Sequence, residues 1–442
     1  MFPLWRRPRF SPEKAAGAVA EAGVRPVPRL VRRGRKEEEN MENQAAWKKW
    51  VLSFGIFACV GSTIFASPIV QTLSESYPNE SMTTIRLVTT LPSLMSFTFA
   101  LVFASLVGKK IRYKTALVLG SLLSFVGGVL PAFWNQSFGQ IIVARLIYGL
   151  GFSMFASRNA VVAQAFGQKD AALWMGRGAF LSNILSILGQ LASGKLGDID
   201  WRYSFLLYFV CLGAMIANLT LFREPEKAAP RRPQEQAEAA PKEKLFTPIV
   251  CMFVGMSVLS ALCIYPYLSS ISNFVAAREL GAASQSSWAS AAFSLGGAAT
   301  ALIFGWYDRR FGRWGVNIGI ATVVAGYACV LSARHIAAVV LGGVLCGAGN
   351  NLVNLYIPKR VLESVGRSRQ ALAVALVASA ISFGSFFSSY FMVFAKKAGA
   401  FLPFLNNEVE AAFFAGICLF SLMFVQMLVL NLRQTKRDQD RG

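Results

Sequence analysis

Arg145, Asn159, Asn350, Asn351 and Asn354 lie inside long apolar stretches, where a polar side chain is costly and by default suggests function. A guanidinium and carboxamides can hold a solute by charge and hydrogen bonds, but such a set neither makes nor breaks covalent bonds. At about 100° per residue the three neighbouring asparagines occupy an arc of roughly 100° on one helix. Two readings stand for them: the amides bond a solute in a central cavity, or they tie helices together. Arg145 either anchors packing or attracts an anionic group, and Asn159 shares its face. Arg158 points elsewhere and reads as a snorkelling side chain near a membrane surface.

Covalent chemistry finds little support. The one histidine, His335, stands at a segment end, which excludes histidine-based catalysis and multi-histidine metal sites by count. The seven cysteines fall in apolar runs without paired short spacing and read as free, buried thiols. Gly189 to Lys195 comes one residue short of a phosphate-binding loop, because Leu196 stands where Ser or Thr would hold magnesium. None of the 23 Asp and Glu falls in the middle of an expected helix, so the buried carboxylate usual in a proton-coupled carrier is missing. Coupling is left to a helix-end acid, to a co-transported ion, or to no driving ion at all. The expectation is a non-enzyme with no cofactor and no metal.

The elements that carry these residues follow from composition. Of 442 residues, 54% are hydrophobic and only 15% charged, against about 25% charged in soluble domains. Twelve apolar segments are expected, at 47–71, 84–107, 115–134, 139–163, 174–195, 203–222, 246–272, 286–306, 315–333, 336–358, 371–395 and 409–431, most of about the length that crosses a bilayer as a helix. The fold class is therefore all-α, a polytopic membrane protein of twelve transmembrane helices. Net charge is +21, but the basic residues sit mainly in short loops on one side, with no nucleic-acid-binding signature. The positive-inside rule then places both termini in the cytoplasm, in what is expected to be a bacterial cytoplasmic membrane. The expected partners are the lipid bilayer and a small-molecule substrate, with no nucleic acid, and the chain is expected to be a monomer.

Residues 1–44 form a basic extension expected to be disordered, of which residues 1–40 are expected to be dispensable, with translation from Met41 as the plainer start. Residues 223–244, rich in Pro and charge, read as a cytoplasmic linker between six-helix bundles at 45–222 and 245–432, and residues 433–442 as a cytoplasmic tail. The bundles echo one another. Gly149 and Gly151 correspond to Gly347 and Gly349 at an offset of 198, and the basic loop from Ser105 corresponds to the loop from Gly305 at 200. Such offsets indicate a tandem duplication, an arrangement that builds alternating access.

With these motifs the chain resembles the major facilitator superfamily over about residues 45–432. The stretch from Ser105 through Gly108, Lys109, Lys110 and Arg112 is an eroded form of the family's loop after helix 2, with Lys109 in the place of the acid. Its echo, Gly305, Asp308, Arg309, Arg310, Gly312 and Arg313, is clearer; Arg145, Gly149 and Gly151 match the helix 4 motif, and Trp201, Arg202 and Phe205 the motif after helix 5. The exporter motif of helix 5 is weak, with Gln190 for Pro and Ser193 for Gly.

The resemblance implies a secondary transporter working by rocker-switch alternating access. It also implies that the two basic loops are a cytoplasmic gate, with glycines for tight turns close to neighbouring helices, and that backbone carbonyls of helix 1 hold Arg145. Helices 1, 4, 7 and 10 would surround the solute, which adds Phe54, Phe57 and a corner at Tyr265, Pro266 and Tyr267 as linings. Aromatic walls with few charges suit export of amphipathic organic compounds; uptake of a small anionic metabolite is the alternative, and a transporter-like solute sensor comes from a different class. Ser382, Ser385 and Ser389 read as a packing stripe.

Overall fold

Long apolar runs become helices here because a helix satisfies its own backbone hydrogen bonds, and short polar residues define where each one starts. The Ser81 hydroxyl accepts from Thr84 N–H, Thr247 accepts from Val250 N–H ahead of Pro248, and the Asn407 carbonyl caps Val409 and Glu410. The computed structural model describes residues 47–108, 110–167, 170–224, 247–365, 370–399 and 407–439. The basic extension, most of the linker, Lys109 and the end of the tail lie outside them.

Twelve helical rods follow: α1 (47–61, then a tighter turn Ser62–Ile64 and Val70–Ser76), α2 (Met82–Leu106), α3 (Tyr113–Phe133) and α4 (Phe138–Ser153, tightening through Met154–Ser157 into Arg158–Phe166). Next come α5 (Ala171–Gly197), α6 (Trp201–Leu206 with Phe209–Leu221), α7 (Pro248–Ala277) and α8 (Ala283–Phe311). The last four are α9 (Gly315–Leu331), α10 (Ile336–Ser364), α11 (Gln370–Ala398) and α12 (Glu408–Gln439). Among the described residues nine stretches are long and apolar enough to cross a membrane, and one of them joins α8 to α9. α1 is broken at its turn, and α5 is diluted by glycine and serine.

Residues 51–442 form one unit with two separate hydrophobic cores, one drawn from residues 52–222 and the other from 250–427. Each core belongs to one set of six helices. In each half the fourth helix packs on the second and third: α4 on α2 and α3, α10 on α8 and α9.

Contacts between turns separate the two ends of the bundle. Tyr77 donates to Asn135 O at 2.5 Å, and Arg278 reaches Leu331 O and Ala333 O. These turns mark the far end. Glu224 receives Tyr113 N–H and Lys114 N–H at 2.9 and 2.8 Å, and Asn431 donates to Arg313 O. They mark the linker end.

Two expectations about local structure are corrected. Tyr265, Pro266 and Tyr267 form no corner but lie within α7, where the missing Pro266 N–H interrupts the hydrogen-bond ladder without ending the helix. Cys251 and Cys418 are exposed rather than buried, since their positions fall on outward faces of α7 and α12.

Candidate functional site

Two seams join the halves, α2 against α11 and α5 against α8. Small hydroxyls line the first seam: Thr90 meets Ser389 at 3.3 Å and Ser96 meets Ser382 at 3.4 Å, with Phe97 edge-on to Phe383. In the second seam the Gln190 amide donates to Ser294 Oγ at 2.9 Å. Sequence reasoning took Gln190 for a degraded motif and the α11 serines for mere packing. The usable signal was their polarity within apolar helices, which needs a partner on another helix.

Further cross-half contacts cluster at the far end. Ser67 donates to Leu268 O, Ser272 to Ser67 O at 3.4 Å and Ser286 to Pro68 O at 3.4 Å. The Asp198 carboxylate accepts from Ser284 N–H. The strongest is Arg86 on Glu408 at 2.7 Å, with Arg86 only 2% exposed. Beside it, within the C half, Glu410 holds Arg278 at 2.7 Å. Sequence reasoning placed these acids at a helix end but had no means of pairing them across 322 and 132 positions.

The glycine pairs explain the fourth helix of each half. A Cβ on Gly149 would lie 2.8 Å from Pro92 Cα on α2, and one on Gly151 would lie 2.6 Å from Gly120 O on α3. On α10 a Cβ at Gly347 would fall 1.9 Å from Phe293 O of α8, and one at Gly349 2.4 Å from Gly319 O of α9. Both copies use the first glycine toward the second helix and the next toward the third. The repeat is thus one of contacts as well as of letters.

Arg145 is fully buried. Its Nε donates to Val88 O on α2 at 2.8 Å, not to α1 as the resemblance implied, and its guanidinium lies 4.5 Å from the Tyr148 ring and 5.3 Å from that of Tyr208. The reason is local: Tyr148 Oη bonds Ser62 Oγ at 3.0 Å and reaches Cys59 O at 3.3 Å, so Tyr148 occupies the approach to the α1 backbone. Arg145 Nη1 and Nη2 have no hydrogen-bond partner among the described residues.

The other expected binding residues divide. Asn351 donates to Gly297 O and Thr300 Oγ1 of α8, both at 3.0 Å, while Asn354 pairs with Asn350 within α10 at 3.2 Å. Phe54 is half-buried, whereas buried Phe57 packs on α5 at Gly178. Tyr265 is half-buried. Tyr267 is fully buried, donates to Ala289 O at 3.0 Å and stacks on Phe293, which places it in the core of the C half. The Asn159 side chain lies outside those described.

At the linker end each basic loop has an acid. Asp308 holds Lys359 of α10 at 2.6 and 2.7 Å. In the first loop, where Lys109 replaces the acid and lies outside the described residues, the carboxylate of Glu224 after α6 caps α3 instead. Lys110, Arg309 and Arg310 are exposed, and Arg313 is half-buried. Gly108 and Gly312 answer to backbone conformation, and close helix approach explains neither Gly305 nor Gly312. Gly108 has φ +84° and Gly312 φ +48°, conformations that favour glycine, and a Cβ at Gly305 or Gly312 would meet nothing within 4 Å.

The family model described as Major Facilitator Superfamily matches residues 50–274 and 253–442. The chain belongs to the major facilitator superfamily. It is 28% identical over 196 residues to the ascochitine biosynthesis cluster MFS transporter of Didymella fabae, a match spanning 41% of this chain and 36% of that relative's length. Its fold is similar to the crystal structure of a bacterial homologue of the human lysosomal transporter Spinster, in an inward-facing and unoccupied conformation. That match has a TM-score of 0.64 and 12% identity and covers 87% of this chain and 95% of the other. Family and fold together make this an integral membrane transporter.

Proposed function

We propose that this superfamily member is a secondary transporter that moves a small, amphipathic organic solute by rocking its two halves about the seams. The observation that carries this reading is the distribution of cross-half contacts. Each half keeps its own core, so the two can tilt as bodies, and the polar ties between them lie in the seams and at the far end. With the linker end cytoplasmic, as its basic loops require, the structure is a state closed to the outside. Export is the favoured direction, because the half-buried aromatics Phe54 and Tyr265 suit an amphipathic solute.

The solute is placed between α4 and α10, beside the Asn350 and Asn354 pair. These two amides bond only each other among the described residues, so their remaining donors and acceptors serve a ligand, whereas the Asn351 amide is already spent on α8. Uptake of a small anion has weaker support, because Arg145 sits behind Tyr148 and Tyr208. Transport is tested by screening organic solutes in proteoliposomes with an imposed pH gradient.

The placement is tested on purified protein with a solute from that screen. Asn354→Ala should weaken binding roughly fivefold, the equivalent of one hydrogen bond of about 1 kcal/mol, at unchanged thermal stability. Asn351→Ala should lower stability by about 1 kcal/mol and leave affinity alone. The reverse pattern would move the site off this face of α10.

A further inference from the structure

We propose that a sodium ion binds on uncharged oxygens where the seam of α5 and α8 meets the break in α1. The seam is antiparallel, with rungs at Asp198 and Ser284, Gly194 and Ser287, and Gln190 and Ser294. Ser193 and Ser290 fall between the last two rungs. At about 100° per residue, Ser193 lies on α5 between Gly189, which packs on Phe65 of α1, and Gly194, which faces α8. Ser290 lies likewise on α8 between Ser286, bonded to Pro68 O of α1, and Ser287, which meets α5. Both positions therefore face the junction of the three helices.

Oxygens at this junction lack partners. Gln190, Ser193 and Ser290 are each 0% exposed, yet Gln190 Oε1, Ser193 Oγ and Ser290 Oγ make no hydrogen bond among the described residues. A helical serine can turn its hydroxyl back to a carbonyl three or four residues earlier, as Ser286 and Ser287 do. Ser193 and Ser290 do not. The Gln190 amide is held in the seam, because its Nε2 donates to Ser186 O and to Ser294 Oγ, both at 2.9 Å. A backbone carbonyl only accepts, which fixes the nitrogen against Ser186 O and leaves Oε1 as an open acceptor. Gln190 and Ser193 are also the positions at which helix 5 departs from the exporter motif, so those departures supply two of the oxygens.

A cation suits these groups better than a water. The first part of α1 ends at Gly61, whose carbonyl accepts from Ser186 of α5 at 2.7 Å, and a helix C-terminus carries partial negative charge. Residues 65–69 stand outside the helical ladder and bring backbone carbonyls of the kind that hold sodium in interrupted membrane helices. Calcium and magnesium sites are built on carboxylates; none stands among these oxygens, which selects a singly charged ion. A bound ion ties α5 of one half to α8 of the other and so favours the closed far end.

The full chain in detergent, in sodium chloride or in choline chloride of equal ionic strength, tests the site. Binding of radiolabelled sodium is measured by scintillation proximity, and the thermal midpoint is read in parallel. Wild type should bind sodium saturably and gain stability from it. Ser193→Ala and Ser290→Ala should each weaken sodium binding about tenfold, the scale of one charge-assisted bond, at an undiminished midpoint in choline, since the lost hydroxyls had no partner. Ser389→Ala, which removes the hydroxyl bonded to Thr90 in the other seam, should keep wild-type sodium affinity. Absence of saturable sodium binding by wild type would assign the open oxygens to buried water and overturn the proposal. Unchanged affinity in both α5 and α8 variants, or an equal loss in Ser389→Ala, would overturn it as well. No transported solute enters the test, so its outcome is independent of the proposed function.

Discussion

Replacing Glu408 with Gln should open the far end. Arg86 is buried and its Nε lacks a partner among the described residues, so Glu408 is the group that neutralises it across the two halves. Removing one partner of a fully buried pair costs about 3–5 kcal/mol, but Glu408 is 26% exposed and solvent softens the loss. An effect of about 1–2 kcal/mol on the closed state remains, a roughly tenfold shift in population. The readout is thiol labelling of Ser67→Cys, a position 1% exposed and bonded across the halves, in a background without the exposed Cys251 and Cys418. Labelling should be slow in the parent and about tenfold faster with Glu408→Gln. Glu410→Gln is the matched control. Its partner Arg278 lies in the same half, so that change should lower stability without speeding the labelling. Equal labelling rates in all three proteins would show that Arg86 and Glu408 do not hold the halves together.

The same pair bears on energy coupling. No acid stands at the centre of a rod, yet Glu408 and Glu410 begin α12 and each holds an arginine. Protonating Glu408 would remove the charge that Gln removes and so favour the same opening, which makes a helix-end acid a physically adequate route for a proton to drive the cycle. In proteoliposomes, accumulation against a gradient would then fail in Glu408→Gln while exchange continued.

The fold was legible because a bilayer imposes length and hydropathy on every crossing, and because Gly149 with Gly151 and Gly347 with Gly349 repeat at one offset. The candidate site was legible only in its residue types. Asn350, Asn351 and Asn354 were visible as one polar face, but a helical wheel cannot tell an amide bonded to α8 from one bonded within its own helix. Arg145 was visible as a buried cation, while its partner at Val88 depended on Tyr148 reaching α1 first. Glu224 was hidden for a different reason: it caps α3 from the far side of three helices, a pairing that no local motif records.

The glycine contacts give the largest expected loss of stability. At Gly347 a methyl group would sit 1.9 Å from Phe293 O, a backbone atom that cannot swing away as a side chain can. Relief requires α8 and α10 to separate, and Asn351 pins the same two helices one turn along. Overpacking a dense interface costs about 1–3 kcal/mol, and with backbone as the obstacle Gly347→Ala should fall at or above the top of that range. Gly297 on α8 faces the same helix with room to spare, its nearest atoms being Gly347 O at 3.7 Å and Asn351 Cβ at 3.8 Å. There Ala should stabilise by up to about 1 kcal/mol through helix propensity. Thermal unfolding of the two variants, which lie on opposite sides of one interface and are opposite in expected sign, would decide the matter. If both are neutral, the α8 and α10 backbones are not in contact, and the repeat of glycines has some purpose other than bringing the fourth helix onto the second.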